Sequence, residues 1–135
     1  MMKTTTMLMA AVVALTLART AAAANDCRAA EEQIAEMSVS VADAYGAGDV
    51  DKAKPLLAKA AALGKKGGDE AKACGCDKVA EPLGKADSMM KDALTAGGFN
   101  DVQDRLYAVI GQSETARRAA EMCWRERVAT PQPKK

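Results

Sequence analysis

The sequence predicts an all-α fold: a four-helix up-down-up-down bundle, or two αα-hairpins packed together, with disulfides at one end. Three observations carry this prediction. The chain is alanine-rich and shows no alternation of strand period. Apolar residues recur at spacings of three or four along four segments, which lays each set on one helical face. Finally, Cys27, Cys74, Cys76 and Cys123 fall at the start of the first segment, the end of the second, the start of the third and the end of the fourth. An up-down-up-down bundle brings those four places to one end.

Ahead of the first segment, "MMKTTTMLMAAVVALTLARTAAAAND" has the plan of a secretory signal peptide over residues 1–24. Lys3 is the charged start, residues 7–18 the apolar run, and Ala22 to Ala24 the small residues of a cleavage site. The run is short for a membrane span, and Arg19 closes it. No second apolar stretch of membrane length follows, so no membrane span is expected after cleavage. A periplasmic or secreted location is expected. Loss of Lys3 and Arg19 takes the formal net charge from +1 to −1.

The helical domain is expected over residues 25–128. Its first helix carries Cys27, Ala30, Ile34, Met37, Val41 and Tyr45 on one face and stops at "GAGD", 46–49. The second carries Val50, Ala53, Leu57 and Ala60. A break is predicted at Gly64, Gly67 and Gly68, each costing about 1 kcal/mol relative to alanine inside a helix. Asp69 then caps a short continuation with Ala71 and Cys74. Pro55 and Pro82 mark starts or bends. The third helix carries Cys76, Val79, Leu83, Ala86, Met90 and Ala93 and ends at "TAGG", 95–98. "NDVQ", 100–103, reads as a capping box opening the fourth, in which Asn100 caps and Gln103 reaches back. Val102, Leu106, Val109, Ser113, Ala116, Ala120 and Cys123 continue it, with a possible interruption at Gly111. "TPQPKK" lies in an expected disordered tail, residues 129–135.

The register that sets Cys27 over Cys76 also pairs Glu32 with Glu81, residues 43–44 with 92–93, and Cys74 with Cys123. This is the pattern of a duplicated hairpin. "AYGAGDVDKAKPLLAKA" resembles the turn and second helix of a tetratricopeptide repeat, but it occurs once, and such units need about three copies to bury their faces.

An even cysteine count in an exported chain makes disulfides the leading expectation, Cys27 with Cys74 and Cys76 with Cys123. Two alternatives share the same layer. Cys74 bonded to Cys76, with Cys27 to Cys123, would be an exchangeable redox centre. Four thiolates could instead hold a metal, or copper with sulfur from Met37, Met89, Met90 or Met122.

There is no histidine, which removes Ser-His-Asp and Cys-His nucleophile activation and imidazole ligands. The architecture is similar to the four-helix cytochromes of the periplasm, but Cys-x-x-Cys-His is absent. "DVDKA", 49–53, starts like a calcium loop and then lacks the required ligand and glycine. With near-neutral charge and four aromatic residues, the chain offers no nucleic-acid platform. Residues 25–49 hold six acids against Arg28, whereas 113–135 hold six bases against three acids. The first and last helices are therefore expected side by side; the alternative is an interaction surface at Arg117, Arg118, Arg125 and Arg127. The functional expectation is a cofactor-free, non-enzymatic binding protein of the cell envelope whose partner is another protein.

Overall fold

The structure, a computed structural model, describes residues 27–129. The predicted signal peptide and residues 130–135 of the predicted tail lie outside them. The described residues form four helices: α1 (Cys27–Tyr45), α2 (Val50–Ala73), α3 (Ala80–Leu94), preceded by a 3₁₀ turn (Asp77–Val79), and α4 (Phe99–Ala129). No strand occurs among them, and the bundle is the one the apolar spacing predicts.

The turn between α1 and α2 uses Gly48 at φ +90°, then Asp49, whose carboxylate accepts from the Lys52 amide at 2.8 Å and caps α2. The predicted break in α2 does not occur: the helix runs unbroken through Gly64, Gly67 and Gly68. Tertiary packing overrides the glycine propensity here. A β-carbon on Gly67 would stand 2.8 Å from Ile34 Cγ1 and 3.4 Å from the Ala30 carbonyl oxygen, so glycine lets α1 and α2 approach closely. Pro55 lies within α2, and Pro82 falls in the first turn of α3, where a missing amide is tolerated.

Two expectations for α4 are corrected as well. The helix is continuous across Gly111, and it begins at Phe99, with the Val102 amide bonded to the Gly98 carbonyl at 3.1 Å. Asn100 therefore lies inside the helix, and Gln103 does not reach back to its own terminus. Its amide donates instead to the Tyr45 carbonyl at 3.0 Å, satisfying an acceptor at the end of α1.

These glycines make a paired prediction. Gly67→Ala should destabilise the fold by about 1–3 kcal/mol through overpacking, despite its better helix propensity. Gly111→Ala has nothing within 4 Å of its new β-carbon and should stabilise by about 0.5–1 kcal/mol. Urea midpoints at unchanged slope would check both signs.

The core is Ile34, Met37 and Val41 of α1, Leu57 of α2, Val79, Leu83 and Met90 around α3, and Val102, Leu106 and Val109 of α4, spaced by buried alanines. The repeat seen in the sequence is also a repeat of structure. In the same register Tyr45 falls on Leu94, the ends of α1 and α3, and Val50 falls on Phe99, the starts of α2 and α4. Buried Cys27, Ala30, Ile34, Met37, Val41 and Ala44 fall on Cys76, Val79, Leu83, Ala86, Met90 and Ala93, all buried. The two halves differ in one interface. Whereas α1 packs fully on α4, the corresponding helices α3 and α2 meet much less.

Candidate functional site

At the cysteine end, "ACGC" is the C-terminal stop of α2. The Cys76 amide bonds the Ala71 carbonyl at 2.8 Å, the Gly75 amide bonds that of Lys72 at 3.2 Å, and Gly75 sits at φ +78°. This is a Schellman motif, and the left-handed position calls for glycine. A side chain at 75 would also meet the Arg127 guanidinium at 3.0 Å. The turn separates the roles of the two cysteines. Cys74 is bonded to Cys27, with S–S 2.08 Å and Cα–Cα 5.6 Å, closing the first hairpin as expected.

Cys76 and Cys123 are thiols in this structure rather than the expected second bridge. The Cys76 sulfur lies 3.7 Å from the Ala119 carbonyl oxygen, one turn before Cys123. Burial, then the Cys123 hydrogen bond and charge, push the Cys76 thiol up to about 12, while Arg127 acts in the opposite direction. Such a thiol is a poor nucleophile at neutral pH. A Cys74–Cys76 redox bond is not formed, since the Cys74 sulfur is already engaged. Nor is a four-thiolate site assembled: among the described residues no three Cys, Asp or Glu side chains converge as metal ligands would. Met37 and Met90 are core residues, Met89 is half-buried and Met122 is exposed.

The four arginines singled out from the sequence have different surroundings. Arg117 is a clamp inside the α1/α4 interface, donating to Glu114, to Glu121 at 3.1 Å and to Glu31 of α1 at 3.1 Å. Glu31 also accepts from the Trp124 indole N–H, and Arg28 stacks 4.4 Å over the Trp124 ring. The Glu114 hydrogen bond strengthens the hold of Arg117 on its proton, and the same bond lowers the Glu114 pKa. Arg118 is exposed beside Glu114, Arg125 pairs with Glu121 at 2.9 Å, and Arg127 is exposed near Gly75 and Cys76. The acidic first helix and the basic last one thus complement each other side by side.

What the sequence reading missed is a groove of about 800 Å³ between α2 and α3. Its apolar lining includes Met37, Ala61, Leu83 and Met90, and its charged lining is Lys65, Lys72 and Lys91 with Asp69, Asp77 and Asp87. Small alanine side chains let neighbouring helices approach closely. They do so at α1/α4, where large side chains bridge the helices. At α2/α3 the repeat places Gly68 where Arg117 stands and Ala80 where Glu31 stands, and both line the groove. The groove is space those side chains would otherwise fill, a signal present in the sequence once the repeat is read position by position.

Set against family models, curated proteins and solved structures, the chain matches none.

Proposed function

We propose that this is a small exported helical protein of the cell envelope, periplasmic or secreted, that acts by binding and not by catalysis. The observation that carries the reading is the groove between α2 and α3. Its size falls in the range of small-molecule sites, it has an apolar floor, and charged groups are confined to a few positions around it. Another protein was the partner expected from the sequence; a groove of this volume with apolar lining favours a small apolar guest. The absence of histidine supports a role without imidazole-activated nucleophiles. In an oxidising compartment Cys76 and Cys123 close as a second staple, as the repeat equivalent of Cys27–Cys74.

Titration with the neutral fluorophore Nile red should give saturable one-to-one binding. Filling the groove with Gly68→Arg and Ala80→Glu, the side chains of the other half, should abolish it. Unsaturable or unaltered binding, or a measured turnover, would overturn the reading.

A further inference from the structure

Comparing the two halves of the repeat also gives the sign of the charge that the groove receives. In the closed half, Glu114 and Glu121 stand one turn to either side of Arg117 on α4 and hold its guanidinium, with Glu31 approaching from α1. In the open half, the three helix positions that correspond to Glu114, Arg117 and Glu121 are Lys65, Gly68 and Lys72. The acids have become bases, and the cation between them has become a glycine with no side chain. The same helical geometry therefore presents two ammonium groups around an empty position that a negative group would complete. Both lysines line the groove, both are exposed, and neither enters an ion pair among the described residues.

The other charges of the lining leave this arrangement in place. Lys91 is paired with Asp87 at 3.0 Å. Asp69 is exposed, and it corresponds to Arg118, which stands on the solvent flank of the closed interface at 73% exposure. Asp77 lines the end of the groove beside Cys76. Three lysines and three aspartates leave the lining with no net charge, so an anion is placed by the local Lys65 and Lys72 pair and a polyanion is not favoured. The groove is also lined by Leu83, Met37 and Met90, and the flexible thioethers of the two methionines adapt to an alkyl chain.

We infer that the groove is a binding site for a single-chain anionic amphiphile. Its carboxylate lies between Lys65 and Lys72 over Gly68, and its alkyl chain lies along Met37, Leu83 and Met90. The inference rests on the binding reading above and adds the class of the guest.

Isothermal titration of the full-length mature protein with decanoate, decanol and decyltrimethylammonium, each below its micelle point, tests it. Decanoate should bind one-to-one and at least tenfold more tightly than decanol or the cation, with an affinity that falls as salt rises. Acetate, the head group alone, should not bind measurably. Lys65→Glu/Lys72→Glu, which restores the acids of the closed half, should reverse the preference toward decyltrimethylammonium; Lys65→Gln/Lys72→Gln should erase it if the first variant does not fold. Equal affinities for the three compounds, or a preference for the cation in the wild type, would overturn the anion assignment and leave the binding reading standing. No binding of any of them would overturn both.

Discussion

Replacing both Cys27 and Cys74 with serine should cost about 4 kcal/mol. The bridge ties the first residue of α1 to the residue that ends α2, a sequence separation of 47, so in the unfolded chain it removes the freedom of the whole first hairpin. In the folded chain it joins two buried positions without leaving a polar group unpaired. The size of the effect matters because the core is small. Alanine supplies many of its buried positions, and a domain of this length has only about 5–15 kcal/mol in total. The double serine variant should melt roughly 20 °C lower, at about 4–8 °C per kcal/mol for a short domain. In excess reductant, wild type and the double serine variant should have the same stability, since the bond and not the sulfur atoms is responsible. A loss below about 1 kcal/mol would mean that the unfolded chain is already compact around this hairpin.

The helical faces were legible in the sequence because they depend on spacing alone. Ile34, Met37 and Val41 occupy the core that their period assigns to them. The Cys27–Cys74 pair was legible for a similar reason: the order of helices in an antiparallel bundle fixes which ends meet. What was illegible depends on partners distant in the chain. Taken within α2, Gly64, Gly67 and Gly68 are helix breakers; against Met37 and Ile34 of α1, Gly64 and Gly67 become the condition for close packing. Gln103 carries the local signature of a cap, but its amide is spent on the Tyr45 carbonyl across the bundle. The four arginines looked alike as a basic stretch, and only the placement of Glu31 on the facing helix makes Arg117 an internal clamp. The groove lay between these cases. Each substitution that opens it was visible, yet its meaning required knowing that α2 and α3 stand as α4 and α1 do.

The same comparison predicts how firmly the closed half is held. Arg117→Met should destabilise the protein by about 2 kcal/mol, less than the 3–5 kcal/mol of a fully buried pair because the arginine retains 25% exposure. The loss comes chiefly from Glu31, Glu114 and Glu121, left half-buried without their shared cation. Arg118→Met removes a side chain that is 73% exposed and should change stability by less than about 0.5 kcal/mol. The two variants should also differ in pH dependence. The Arg117 hydrogen bond holds the Glu114 carboxyl below its ordinary 4.5. A carboxylate with a lowered folded-state pKa contributes stability that is present above its unfolded value and is lost as pH falls through the folded one. The gap between wild type and Arg117→Met should therefore be constant from neutral pH down to about 5 and shrink below about 4.5 as Glu114 protonates. Chemical denaturation at a series of pH values would measure it. A gap independent of pH down to 3 would show that Arg117 acts through packing of its alkyl stem and not through its charge.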